Sequence, residues 1–434
     1  MSGGTRVQPL ALVFFLPWLF VAAMVSANEV NWENSFETGT QTGLFFKEFG
    51  KSSSFSRLRL YADPALALKI SFAEDSESPG EFGARLRLRG WIDSYNRAAQ
   101  TPFEYQLVDA SLNVTKGWFR ADVGFQQIGW GETFGVFIAD LVNPRDLRDP
   151  LFNEISWLRV GQPAANFQVL TDLLNIQAVY IPVPLDPILP EAGSPFDPLT
   201  QNSATQLLSR RTFDARSWQR PFENGEGGGR VTGRLPVGLD LSGFFLTHWA
   251  RSPAFRLEVN PAAAGGVELV PTRTRVHSMG MGAAQDFGAG WVGRLDVVGH
   301  VDQPAFEVAG IGQTPRVYVQ AQSIVGVDFT SESEWTIGGQ HHYQNDLPGG
   351  ARHWASLRVS KPLLAHKVEI QAFAFAGLGN ADLWLQPQVS YHPEPGFTLS
   401  LRADLAGAVG LNREGLFPRS TDLSRLLLWL AWKI

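Results

Sequence analysis

Between Phe82 and Trp91 the chain alternates apolar and basic residues, with Ala84, Leu86 and Leu88 on one side and Arg85, Arg87 and Arg89 on the other. Successive side chains of a strand point to opposite faces, so this period of two predicts a strand with one greasy face and one charged face. A slip of one residue would turn all of those arginines toward the apolar surroundings. If the surroundings are hydrocarbon, each arginine costs about 2–4 kcal/mol near the midplane, so the arginines must face inward.

The same alternation runs from Phe55 to Phe72. Leu58, Leu60, Ala62, Leu66, Leu68, Ile70 and Phe72 fall on even positions, and Arg57, Arg59, Tyr61, Lys69 and Ser71 on odd ones. Asp63-Pro64 suggests a turn, but a two-residue turn pairs 62 with 65 and sends Lys69 to the apolar face. One long strand that tolerates Pro64 is expected instead, with the turn falling in Glu74 to Gly80.

What surrounds the apolar faces follows from the rest of the chain. Arg6, the apolar run Leu10 to Val25 and the small residues Val25-Ser26-Ala27 form an export signal, with cleavage expected after Ala27. Residues 28–434 are then the mature domain. Past Ala27 no apolar run reaches membrane-helix length. The 14 Trp, 30 Phe and 43 Gly, with only 18% charged residues, do not suit a soluble helical enzyme. The absence of Cys excludes disulfides, thiolate metal sites and a Cys nucleophile, and a net charge of −6 is not a nucleic-acid profile. Neither a cofactor nor a metal is expected: His341 and His342 are neighbours on a strand and so point to opposite faces, and no nucleophile elbow is present. The expected fold is all-β, a single closed antiparallel transmembrane β-barrel in the bacterial outer membrane.

Further strands are expected near 30–36, 104–114, 118–127, 165–171, 174–182, 229–236, 239–249, 274–286, 290–302, 316–329, 334–344, 352–360, 367–377, 382–391, 397–406 and 424–434. With the two described above this makes about 18 (range 16–18), an even number as a single-chain barrel requires. Thr115-Lys116-Gly117, Thr171-Asp172, Pro236-Val237-Gly238 and His392 to Gly396 read as short turns at one end. Residues 183–228, rich in Pro, Asp and Gly, read as a long external loop at the other. Because strands begin directly after the export signal, no N-terminal plug domain is expected. Trp249, Trp335, Tyr343, Tyr391 and Trp432 are candidates for interfacial aromatic girdles. The final strand ends in Trp432 and Ile434, where the barrel assembly machinery reads its signal and an aromatic residue is usual at the very end.

One stretch breaks the alternation. The strand from Phe119 to Gln126 leads through Gly129, Trp130, Gly131 and Glu132 into a long charged segment carrying Asp140, Asn143, Pro144, Arg145, Asp146 and Asp149. Residues 131–164 are either a constriction loop folded into the bore or a capped external loop. Gly129 and Gly131 allow the sharp inward bend that the first alternative needs.

Asp109-Ala110-Ser111, the run Gln126-Gln127-Ile128-Gly129-Trp130-Gly131-Glu132 and the later Asn143-Pro144-Arg145-Asp146 resemble the core motif (WGE…NPRD) of a Proteobacterial outer-membrane porin-like barrel family known only as a domain of unknown function. The hairpins Phe167 to Tyr180 and Gly229 to Trp249 are also similar. The resemblance implies an outer-membrane barrel that moves hydrophobic or amphipathic compounds.

The residues themselves point to a lumenal basic wall of Arg57, Arg59, Lys69, Arg85, Arg87 and Arg89. With the turn centred near position 77, Arg85 is expected opposite Lys69, and no inward carboxylate is expected on either strand. The partners are then Glu132, Asp140, Asp146 and Asp149 of the loop, or a passing anion. Such a wall either selects anions or is a structural ladder tied to the loop. Two functions follow. One is a channel or export conduit for small anionic or amphipathic organic solutes. The other is a non-conducting barrel that binds or assembles a partner. An enzyme is not expected. Partners are outer-membrane lipid, the assembly machinery and a small solute, and an oligomer is compatible with the pattern.

Overall fold

The computed structural model describes residues 29–45, 55–72, 80–93, 103–131, 138–148, 155–189, 208–211, 221–252, 254–305, 308–347, 350–379, 382–408 and 424–433. The export signal expected at 1–27, Glu132, Asp149 and Ile434 lie outside these residues, as does the side chain of Arg57.

The strands β1 (Glu29–Phe45), β2 (Phe55–Phe72), β3 (Gly80–Asp93), β4 (Phe103–Lys116), β5 (Phe119–Gln126), β6 (Gln162–Leu170) and β7 (Leu174–Ile181) form the first part of the wall. Glu226–Leu235, Leu239–Trp249, Arg275–Gly288, Trp291–Pro304, Val317–Thr330, Thr336–Leu347, Gly350–Leu363, Val368–Gly377, Asp382–Tyr391, Phe397–Ala408 and Arg425–Lys433 complete it. Each pairs antiparallel with the next barrel strand, giving an 18-stranded sheet. The last strand then returns to the first, with Glu37 opposite Lys433 and Phe45 opposite Arg425. The sheet is a closed barrel with no free edge.

Connections alternate in length around the rim. Gly117-Trp118, Thr171 to Leu173, Pro236 to Gly238 and Ala289-Gly290 close one end tightly. The long connections, 127–161, 182–225 and 250–274, leave and rejoin the wall at the other end. Trp118, Trp291, Trp335, Tyr391 and Trp432 are exposed toward the tight-turn end, where aromatic side chains form an interfacial belt.

The outer surface follows the alternation. Leu58, Leu60, Leu66, Leu86 and Leu88 are each about 40% exposed, while Arg59, Tyr61, Asp63, Arg89 and Trp91 between them are buried on the inner side. β2 runs unbroken through Pro64, and its ladder to β3 keeps one register from Ala62↔Gly90 to Ala65↔Arg87. That register corrects the turn. Lys69 lies opposite Gly83, not Arg85, because the hairpin is centred one residue earlier than expected.

A second, four-stranded sheet lies outside the barrel wall. The hairpin Ala254–Val259 and Val267–Thr272 pairs at its edges with Val308-Ala309 and Ser209-Arg210, which come from two other long loops. Phe255 and Leu269 are buried at its centre, packed by Leu189, Leu208, Leu257 and Val308.

The outward set on β3 defines a test. Leu86→Arg is expected to lower folding stability by about 2–4 kcal/mol in lipid vesicles, because it places a guanidinium in hydrocarbon. Denaturant unfolding of the reconstituted barrel measures this.

Candidate functional site

The connection between β5 and β6 turns into the barrel. Gly131 enters it with φ of 110°, a conformation that side chains other than glycine rarely adopt. At its exit a Cβ on Gly161 would lie 2.6 Å from the Phe125 ring and 2.8 Å from the Val108 carbonyl, so only glycine fits there. Ile128, Trp130, Ile138, Ala139, Leu141 and Val142 of this connection form one buried cluster with Ala164, Val179, Ile181, Phe244, Leu246, Val298 and Ile324. The second set comes from the inner faces of five wall strands.

Polar groups fix the same seat. Trp130 Nε1 donates to Gln177 Oε1 at 2.9 Å, and Gln177 Nε2 donates to Asn166 Oδ1 at 2.9 Å. Asn143 ties the two ends of the connection together: it accepts from the Ile128 N–H at 2.8 Å and donates to the Val160 carbonyl at 3.0 Å. Arg145 and Asp146 form a short ladder, with the Asp146 N–H to Leu158 O at 2.8 Å and the Val160 N–H to Pro144 O at 2.9 Å. On the other side, the Ile188 N–H donates to Arg145 O at 3.0 Å and the Leu147 N–H to Ile188 O at 2.8 Å. Burial lowers the pKa of the Arg145 guanidinium; Asp140 opposes that shift, and Arg159 and Arg251 add to it.

The far arm of the connection reaches a different part of the wall. Trp157, in the single helical turn Ile155–Leu158, packs with Tyr61, Trp91, Ala431 and Trp429. Arg89 lies 3.9 Å from the Trp157 ring centroid and Arg59 5.2 Å from it, in cation–π contact. The connection therefore spans the interior from the wall around Phe244 and Ile324 to the wall around β2, β3 and the last strand.

Below Trp157 lies the basic wall, and its counter-charges come from the wall itself. Asp63 accepts from Arg87 at 2.7 and 2.8 Å and from Arg89 at 2.8 Å. Asp122 accepts from Arg120 at 2.8 and 3.0 Å and from Arg85 at 3.2 Å. Lys69 pairs with Glu81 at 2.8 Å. These pairs correct the expectation of no inward carboxylate on β2 or β3: both Asp63 and Glu81 occupy odd, inward positions. The two loop acids among the described residues, Asp140 and Asp146, are engaged elsewhere. Asp140 accepts from Arg159 at 2.8 Å, and Asp146 and Glu104 both pair with Arg148.

Burial divides the wall into two layers. The Asp63 and Asp122 side chains are 2% exposed, whereas those of Arg85, Arg87 and Arg120 are 39%, 40% and 36% exposed. Arg59 and Arg89 are buried under Trp157. At this height Arg85, Arg87 and Arg120 face the bore over the hidden Asp63 and Asp122, with Asp109, 21% exposed, 3.7 Å from Arg85. Alternation along β5 places Arg120 and Asp122 on the face opposite the apolar Phe119, Ala121, Val123 and Phe125, but sequence reasoning did not assign them to the basic wall.

No family model and no curated protein matches the chain. Solved structures do share its fold. OccAB1 of Acinetobacter baumannii matches with a TM-score of 0.55 at 10% identity, over 94% of this chain and 97% of that one. OccK3 (OpdO) of Pseudomonas aeruginosa matches with a TM-score of 0.54 at 10% identity, over 96% and 99%. OccK5 (OpdH) of the same organism matches with a TM-score of 0.53 at 10% identity, over 94% and 99%. The chain shares the 18-stranded barrel fold of these three solved structures.

Sharing one buried carboxylate between two arginines makes Asp63 critical. Asp63→Asn leaves Arg89 buried without its counter-charge and is expected to cost about 3–5 kcal/mol, read from the shift in denaturant midpoint. Lys69→Ala removes an exposed pair and is expected to leave the midpoint essentially unchanged in the same assay.

Proposed function

We propose that this chain is an outer-membrane channel or export conduit for small anionic or amphipathic organic solutes, with residues 131–164 as its constriction. The observation that carries the reading is the layering of the basic wall. Buried carboxylates hold Arg85, Arg87 and Arg120 in place while the guanidinium faces stay accessible, so an anion meets positive charge without first displacing a salt bridge. In a narrow bore with low-dielectric walls such a field concentrates anions and slows cations. The solute path runs between the in-folded loop and the wall from Thr336 to Ala408. That wall carries inward Gln340, Ser356, Ser360, Ser390 and Ser400, and the half-buried Trp384 backed by the buried Trp354, Phe373 and Phe375. An apolar body suits the aromatics and an acidic head suits the arginines. Apolar side chains on the outside and aromatics toward the tight-turn end support a place in the bilayer, with Trp432 in the terminal strand offered to the assembly machinery.

Arg85→Ala combined with Arg87→Ala is expected to shift the reversal potential in a KCl gradient toward cations, and more so at low salt, where screening is weak. Planar-bilayer recordings measure the shift. An unchanged reversal potential counts against the basic wall as the selector. A purified barrel that opens no channel at all supports the alternative, a closed binding or assembly component.

A further inference from the structure

We propose that Arg251 is the positioning residue that clamps the in-folded loop to the wall, and that through it the outer hairpin Ala254–Thr272 and the loop are held as one unit. Arg251 follows the wall strand Leu239–Trp249 and precedes the hairpin that organises the four-stranded outer sheet. Its guanidinium reaches back into the bore. Nε donates to the Leu141 carbonyl at 2.8 Å and one Nη to the Val142 carbonyl at 2.7 Å, across about 110 residues of sequence. The other face of the fork meets Glu226, with contacts of 2.9 Å to Oε1 and 2.6 Å to Oε2.

The surroundings give this clamp its leverage. The Glu226 side chain is fully buried and that of Arg251 is 11% exposed, so the pair is shielded from water and salt. Glu226 also accepts from the Trp249 N–H at 2.9 Å, which fixes the carboxylate to the strand that delivers Arg251. Leu141 and Val142 lie within the cluster that seats the loop. Two adjacent loop carbonyls and both oxygens of a wall carboxylate are thus bridged by one planar fork. A lysine ammonium at the same place cannot span all four acceptors. Asn143 and Gln162 hold the loop to its own base, with Gln162 donating to Val142 O. Arg251 holds it from the far side, and from a residue that leads directly into the outer sheet. The same outer region contacts the loop a second time, through the backbone of Ile188, whose neighbour Asp186 is paired with Arg273 at the end of the hairpin. The consequence for conduction rests on the channel reading above; the clamp itself does not.

The chain has no Cys, so one introduced thiol reports the loop's seat without background. Ala139 is 2% exposed within the seated cluster, and Gln313 is exposed on an outer loop. In detergent-solubilised full-length barrel, Ala139→Cys is expected to react with a charged methanethiosulfonate far more slowly than Gln313→Cys. Adding Arg251→Gln is expected to raise the Ala139→Cys rate at least tenfold and leave the Gln313→Cys rate unchanged. Arg251→Lys, which keeps the charge opposite Glu226, is expected to raise it less, and it serves as the test if Arg251→Gln fails to assemble. Equal protection of Ala139→Cys in an assembled Arg251 variant overturns the proposal, as does an Ala139→Cys thiol that is already fast with Arg251 present. Neither readout requires conduction, so failure of the clamp and failure of the channel reading are told apart.

Discussion

A sheet immersed in hydrocarbon cannot keep an open edge, because each unpaired N–H or C=O there costs several kcal/mol. Pairing of the terminal strand Arg425–Lys433 with β1 removes that edge, and the remaining features follow from closure. Once the sheet closes, every second residue faces a space too wide for wall side chains alone to fill. The chain brings its own backbone into that space, folding the connection between β5 and β6 inward onto the wall. Backbone brought into the bore must satisfy its polar groups, which explains the density of side chain-to-backbone bonds around Asn143, Gln162 and Arg251.

The basic wall follows the same logic. Arginines inside a barrel repel one another unless acids separate them. Acids level with them in the lumen would cancel the field. Placing Asp63 and Asp122 behind the guanidiniums offsets the repulsion and leaves Arg85, Arg87 and Arg120 more exposed than any acid they pair with, Asp109 at 21% included. Trp157 then covers Arg59 and Arg89, so the upper part of the wall binds the loop and the lower part stays accessible. One run of alternating arginines thus has two parts, an anchoring one and an exposed one.

Much of the barrel was legible because its physical determinants are local and repeated. Leu86 and Leu88 against Arg87 and Arg89 set orientation, and a turn signal every dozen or so residues set the strand count. What escaped depends on non-local pairing. Asp63 was read as part of an awkward Asp-Pro step rather than as an odd-numbered side chain bound for the lumen, so its bonds to Arg87 and Arg89 went unseen. The placing of Lys69 opposite Arg85 failed because hairpin register depends on a turn whose centre the residues do not specify to within one position. The outer hairpin was missed although Ala254–Val259 and Val267–Thr272 flank an Asn260-Pro261 and Gly265-Gly266 turn; six-residue strands outside the barrel period carry little signal. The role of Arg251 carried no local signal, since the Leu141 and Val142 carbonyls it meets lie about 110 residues away in sequence.

The central claim is that the connection between β5 and β6 stands in the bore and sets its width. The most direct measurement is single-channel conductance before and after residues 132–158 are replaced by a short Gly-Ser linker in the otherwise intact barrel. A loop braced from the wall around Phe244 to the wall around Tyr61 predicts a several-fold rise in conductance and weaker anion preference once it is gone. Conductance and selectivity that survive the replacement unchanged would contradict the account.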